Sequence, residues 1–228
     1  MKIVIQCAGD KQPDAGSFEF RGKPVKFVSR PQLAEREAST EFYYFKPDDV
    51  NPDASKSWRQ LLVEYNNAGD NSRTLLPAVD LYLDSTYHLA GEYAAQTASE
   101  LYILSAGWGL VSGNFWLPSY NITFTRQKNV PKYALRAKKD EFKDLNHLRT
   151  IGPDEEIHFF GGQKYVPLFC ALTAALKSRK IVHHLHSVRP AQHRGFEYAP
   201  FTPASPKRRT NWHYECLQRF IAADRVEQ

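Results

Sequence analysis

Ile157-His-Phe-Phe-Gly161-Gly-Gln-Lys-Tyr165-Val-Pro-Leu-Phe-Cys170-Ala-Leu-Thr-Ala-Ala-Leu176 and, four residues on, Ile181-Val-His-His-Leu-His186 carry the fold of this chain in miniature. The apolar run 157–161 has the length of a buried strand, and the pair Gly161-Gly162 ends it. Tyr165, Leu168, Phe169, Leu172 and Leu176 then recur at helical spacing. A second apolar run, 181–186, follows. Strand, helix and strand in that order predict parallel strands with helices packed against them.

Working outward, residues 2–7 and 101–105 read as two further buried strands, and 57–67, 85–99 and 211–223 as helices with one apolar face. The predicted fold class is α/β: a three-layer α/β/α arrangement with a central four-stranded parallel sheet. In such a sheet, ligand sites lie at the carboxyl ends of the strands. Residues 18–27 break the pattern, because alternating residues flank Arg21-Gly22-Lys23-Pro24, which predicts an added N-terminal hairpin. The expected organisation is one domain over 1–228, with a hairpin and loop elaboration at 18–53 and a basic, proline-rich insertion at 198–209.

The 228 residues are 42% hydrophobic, enough for a sizeable core, and the formal net charge is +5. Basic residues cluster in two places. Between Lys177 and Arg209 stand Lys177, Arg179, Lys180, Arg189, Arg194, Lys207, Arg208 and Arg209 against the single acid Glu197; a second run, Arg126 to Lys139, also holds Lys128, Lys132, Arg136 and Lys138. Their interleaving with Tyr, Trp and Phe points to a polyanion, nucleic acid above all. Cys7, Cys170 and Cys216 have no short spacing, so neither a disulfide framework nor a thiolate metal cage is indicated, and a reducing cytoplasm is expected. No run of about eighteen apolar residues occurs, so neither a signal peptide nor a membrane span is predicted.

Each predicted strand ends in residues suited to holding a ligand. These are Cys7-Ala-Gly-Asp-Lys11, Ser105-Ala106-Gly107-Trp108-Gly109, Gly161-Gly162-Gln-Lys164, and the loop His186-Ser-Val-Arg-Pro-Ala-Gln-His-Arg-Gly-Phe196. Their coincidence on one side of a sheet predicts a pocket. Glycines let backbone N–H groups approach a ligand, and Trp108 and Tyr120 are candidates to stack on a planar base. A Gly-x-x-x-x-Gly-Lys-Ser/Thr loop and a Gly-x-Gly-x-x-Gly turn are both absent, which argues against ATP or dinucleotide chemistry, and no cofactor is expected. His183 and His184 fall on opposite faces of a strand, so no metal site is predicted. Ser105 lacks the Gly-x-Ser-x-Gly elbow of a serine hydrolase.

The order of these motifs resembles the uracil-DNA glycosylase superfamily. His186 after a strand and Arg194-Gly195-Phe196 stand at the family's separation, Thr210-Asn211 is similar to its later helix start, and Phe160-Gly-Gly-Gln-Lys-Tyr165 to its preceding strand-to-helix motif. The segments Asp80-Leu-Tyr-Leu-Asp84-Ser-Thr-Tyr87, 101–111 and Tyr120-Asn121, with Cys7 and Lys11 after the first strand, also resemble the YaaA-type DNA-binding stress proteins. The resemblance implies a DNA glycosylase acting on a modified base, double-stranded DNA with an extruded nucleotide or single-stranded DNA as partner, and a monomer without membrane attachment. It implies His186 as donor to the base carbonyl and Arg189 and Arg194 as phosphate contacts, with Pro190 in place of the apolar wedge and His193, Lys207, Arg208 and Arg209 beside the DNA. Trp108 and Tyr120 would sandwich the base, and Cys7, Lys11, Ser105, Ala106, Gly107, Gly161 and Gly162 would line its pocket. Where the uracil enzymes carry a water-activating Asp followed by Pro-Tyr, this chain has Gly107 and Trp108; Asn121 is therefore the first candidate to position water, with Asp80 and Asp84 as alternatives. Two other functions fit the same residues: a non-catalytic DNA-binding stress protein, and a hydrolase of free nucleosides or nucleotides.

Overall fold

The structure is a computed structural model that describes all residues except Asp70, Gln127, Lys138, Pro153, residues 206–210 and Gln228, together with the side chain of Glu227. In chain order the strands are β1 (Lys2–Gln6), β2 (Glu19–Phe20), β3 (Lys23–Val28), β4 (Tyr43–Phe45), β5 (Val50–Asn51), β6 (Lys56–Ser57), β7 (Leu76–Pro77), β8 (Glu100–Ser105), β9 (Gly109–Ser112), β10 (Trp116–Leu117), β11 (Tyr120–Asn121), β12 (Leu145–Asn146), β13 (Glu156–Phe160), β14 (Arg179–Leu185) and β15 (Glu197–Phe201). The helices are α1 (Pro31–Glu37), α2 (Trp58–Ala68), α3 (Thr86–Gln96), α4 (Val166–Thr173) and α5 (Trp212–Glu227), with a 3-10 turn at Lys132–Ala134.

The fold is mixed α/β around a mostly parallel sheet of seven strands, in the order β12-β9-β8-β1-β13-β14-β15. The four runs read from the sequence are β8, β1, β13 and β14, adjacent and mutually parallel. Ile3, Val4 and Ile5 have no exposed surface; a strand flanked on both edges and covered on both faces reads as an unbroken apolar run. Side chains alternate in direction along β13. Phe159 stacks on Phe169 of α4 with centroids 4.5 Å apart, whereas His158 and Phe160 meet Phe220 of α5 at 4.6 and 5.4 Å.

The four-stranded expectation is corrected at both edges of the sheet. After Ser105 the chain, read as a ligand-holding loop, folds back as β9, antiparallel to β8, with Ser105 opposite Gly109. Gly109 makes this possible: its φ is +92°, and a Cβ there would lie 2.4 Å from the Leu145 carbonyl oxygen of β12. At the other edge, Glu197–Phe201, part of the segment read as a basic loop, pairs in parallel with β14. Pro200 had argued against a strand, but on an edge its missing N–H removes no ladder bond.

The N-terminal hairpin is present. Arg21 (φ +47°) and Gly22 (φ +75°) form a turn that reverses β2 onto β3, as the left-handed pair of a tight hairpin turn requires. Strand β3 also pairs in parallel with β4 and β11, making a second small sheet. Helix α2 starts where Ser57 and Gln60 form a reciprocal capping box and ends at Gly69 (φ +70°). One contiguous core runs from Ile3 to Ile221 through both sheets. Among the described residues no helix is long and apolar enough to cross a membrane.

Candidate active site at the carboxyl ends of the sheet

Strand β1 ends at Gln6 and Cys7, and the four residues that follow are fastened to the segment before α3. Gln12 N donates to the Leu81 carbonyl at 2.9 Å, and Lys11 forms an antiparallel bridge with Tyr82. This clamp holds the half-buried Lys11 side chain above Tyr120. Its Nζ lies 4.1 Å from the Tyr120 ring centroid and 5.7 Å from that of Tyr82, and donates to the carbonyls of Ala8 and Gly9 at 3.3 Å. Among the described residues Lys11 has no ion pair. Burial lowers its pKa from 10.5 to about 8 against the opposing pull of Cys7 and Asp10.

Beneath the amine runs a chain of hydroxyls. Ser105 Oγ donates to Tyr120 Oη at 2.8 Å, and Tyr120 and Tyr82 share a hydrogen bond of 2.9 Å. Burial raises the pKa of both tyrosines, so they remain neutral donors. Ser105 Oγ also accepts from the N–H groups of Gly107 and Trp108, at 3.2 and 3.1 Å. Cys7 Sγ lies 3.3 Å from Tyr165 Oη and accepts from Ala106 N at 3.4 Å.

Two buried arginines fix the carbonyl side of the 105–109 turn. Arg136 donates to Ala106 O at 2.8 Å and grips Asp144 with both terminal nitrogens at 2.9 and 2.6 Å. Arg59 donates to Gly107 O at 3.0 Å and Trp108 O at 2.9 Å, and pairs with Asp48 at 2.6 and 3.1 Å. With donors and acceptors both engaged, the turn is a rigid wall for the Lys11 site. Gly107 lets Tyr120 lie flush on that wall, since a Cβ there would stand 3.2 Å from the ring.

On the far side of β1, Gln6 Oε1 accepts from Gly162 N at 2.6 Å and Gln6 Nε2 lies 3.3 Å from His213 Nε2. His213 is 2% exposed, and its Nδ1 has no hydrogen-bond partner among the described residues. Burial lowers its pKa to about 4, so the ring is neutral at pH 7.

Cys7, Lys11, Ser105 and Tyr120 thus converge, joined by Gln6, Tyr82, Tyr165 and His213, to which the sequence alone assigned no role. Tyr82 and Tyr165 stood inside motifs already singled out; Gln6 and His213 gave no local signal. Several expectations are overturned. Trp108 is fully buried against Phe27, at 5.0 Å, and cannot sandwich a base with Tyr120. Ala106 is buried within the turn, and a Cβ at Gly161 would strike the Phe159 ring at 2.3 Å, so both serve packing. Asn121 follows Tyr120 on β11, and strand alternation turns its side chain away from the cluster. Asp80 stands 3.3 Å from His88 Nδ1, both well exposed. Asp84, by contrast, accepts from Thr86 N at 2.9 Å just ahead of α3, and its charge acts on the buried His213, which keeps it beside the cluster. Arg136, counted among the cations for a polyanion, is committed to Asp144.

His186 ends β14 on the same side of the sheet, exposed, with its N–H on the Phe201 carbonyl at 2.8 Å. It borders a cavity of about 250 Å³ with Phe201, Thr202 and Pro203. Arg189 and Arg194 are exposed, and the Arg189 carbonyl accepts from Gln163 Nε2 at 3.3 Å, which seats the loop against the turn after β13. His193 N donates to Tyr198 Oη at 2.7 Å. Pro190 is buried, so the apolar tip of the loop is Val188, 40% exposed. Lys207, Arg208, Arg209 and Thr210 lie outside the described residues.

Parallel strands whose ends gather a lysine, a cysteine and hydroxyls define an α/β protein with a polar cluster at the strand ends. The chain belongs to a family of unknown function, DUF6884, whose model matches residues 67–193, more than half of its length. The matched segment contains Tyr82, Ser105, Tyr120, Tyr165 and His186, while Cys7, Lys11 and His213 fall outside it. No curated protein and no solved structure matches the chain.

Proposed function

We propose that this protein is a DNA glycosylase-like enzyme that releases a modified base, and that Lys11 is its reacting amine. The finer architecture belongs to the same reading: a three-layer α/β/α unit with β8, β1, β13 and β14 as its functional core. The observation that carries the proposal is the seat of Lys11. An amine after the end of the central strand, half-buried over Tyr120 and without an ion pair among the described residues, is set up to be neutral and nucleophilic near pH 8.

In the reaction, the neutral Lys11 amine attacks C1′ of an extruded nucleotide. A C–N bond to lysine forms as the glycosidic C–N bond breaks, and the base leaves with the electron pair and takes the proton that the new ammonium sheds. Opening of the sugar ring gives a Schiff base, which water hydrolyses to the abasic product and free Lys11. The exposed Arg189 and Arg194 offer phosphate contacts. His186 becomes a rim residue and not the centre of the chemistry.

The test is free-base release from a panel of modified DNAs, read by mass spectrometry, with borohydride added to trap the Schiff base. Wild type should release base and form a DNA adduct at Lys11; Lys11→Met should lose both and keep DNA binding. DNA binding by wild type with no base release across the panel would establish a non-catalytic DNA-binding protein instead. Cleavage of free nucleosides without DNA affinity would establish the nucleoside hydrolase.

A further inference from the structure

The second basic run left Arg126 and Lys132 without a role. In the structure they meet Arg30, 96 residues before Arg126 in sequence, around a cavity of about 100 Å³ floored by Val130 and Leu135. The two segments are fastened by backbone. Ser29 N and Arg30 N both donate to the Tyr133 carbonyl, at 3.0 and 2.9 Å, and Thr123 N donates to Ala134 O at 3.0 Å. The three cationic side chains are exposed. Among the described residues none of them makes an ion pair or a side-chain hydrogen bond.

That is a contrast within one molecule. Arg21, Arg59, Arg136, Arg179 and Arg219 each hold an acid. Asp140, which contacts the neighbouring Ser29, accepts from Ser29 Oγ at 3.4 Å and from Ala137 N at 2.6 Å. Three like charges around one small cavity repel each other and are stabilised by an anion between them. The volume suits that anion, being well below the roughly 300–1,000 Å³ of sites that enclose a whole small molecule. It admits a phosphate group but not a nucleoside. Phe124, two residues before Arg126, packs edge-on against Tyr165 at 5.0 Å, and Tyr165 touches Cys7. The cationic cavity therefore belongs to the segment that packs on the Lys11 cluster.

We propose that Arg30, Arg126 and Lys132 bind a phosphate group of the DNA strand whose nucleotide enters the Lys11 site. The assignment of the phosphate to DNA rests on the glycosylase reading; the phosphate site itself does not. One bound phosphodiester on duplex DNA contributes about 0.9 to the slope of log affinity against log salt. The experiment is a fluorescence-anisotropy titration of a modified duplex at several salt concentrations, with wild type, R30Q/R126Q/K132Q and the milder K132Q, beside calorimetric titration with inorganic phosphate. The triple variant should bind DNA about tenfold more weakly at low salt, with a slope smaller by about 1, and should lose phosphate binding; K132Q should show part of each effect. Unchanged slopes and affinities in folded variants overturn the proposal. Lost phosphate binding with an unchanged DNA slope overturns the assignment to DNA. Base release is scored separately: if wild type releases none while the slope difference stands, the Lys11 reaction fails and the phosphate clamp is supported.

Discussion

Replacing Lys11 with Met should make the protein more stable while removing its reactive amine. Burial holds the Lys11 pKa at about 8 against 10.5 for the free side chain. At about 1.4 kcal/mol per unit, the native state at pH 7 bears a penalty of about 3 kcal/mol for keeping this ammonium charged. Solvent reaching the half-buried side chain screens the charge, and Met forgoes the bonds to Ala8 and Gly9, which together reduce the expected gain to about 1–2 kcal/mol. The sign with pH follows from proton counting. Below pH 8 the amine is charged in both states and the whole penalty is present. Between 8 and 10.5 the native state gives up its proton while the unfolded chain keeps it, so wild-type stability rises with pH. Above 10.5 the penalty is gone. Urea denaturation of both proteins from pH 6 to 11 should therefore show a Met advantage that is constant below 8 and fades toward 10.5. A less stable variant at pH 7, or an advantage independent of pH, would refute the placement of a strained cation at the strand end.

Arg136→Met leaves Asp144 buried and unpaired and the Ala106 carbonyl without its donor, so it should lower the unfolding free energy by about 3–5 kcal/mol in denaturant titrations. Gly161→Ala forces a methyl into the Phe159 ring and should destabilise by about 1–3 kcal/mol, measured the same way. His213 is held neutral with a pKa of about 4 and His183 with one of about 3. The unfolded chain takes up protons at both from pH 6.5 downward while the native state does not, so stability should fall as pH drops from 6.5 to 4; His213→Gln should flatten that fall. Base release should rise with pH and level off above about 8 as the Lys11 amine loses its proton, and an optimum near pH 5 would exclude lysine as nucleophile.

Much of the fold is legible in the chain because burial imprints a period. Residues 3–5 are an unbroken apolar run and 157–160 one interrupted only by His158, since strands covered on both faces expose almost nothing, and Ser57 with Gln60 announces the start of α2 through a purely local pair of hydrogen bonds. Glycine and proline mislead where their meaning depends on position. Gly109 looked like part of a ligand loop and is the reversal of a hairpin; Pro200 looked like a strand breaker and sits on an edge. Trp108 shows the same limit, since a tryptophan after glycines reads equally well as a stacking platform and as core.

By itself, the sequence determined the four core strands, the helices α2 to α5, the hairpin at Arg21-Gly22, the basic character and the nomination of Cys7, Lys11, Ser105 and Tyr120, because these depend on local propensity and periodicity. Only the tertiary structure decided which cations are spoken for and which are free. Arg136 and Arg126 stand ten residues apart in one basic run, yet one is locked to Asp144 and the other faces a cavity with Arg30. Tertiary packing likewise set His213 against Gln6, 207 residues away, and lowered the pKa of Lys11 by closing tyrosines around it. A charge's state depends on what surrounds it in space, and separation along the chain carries almost no information about that.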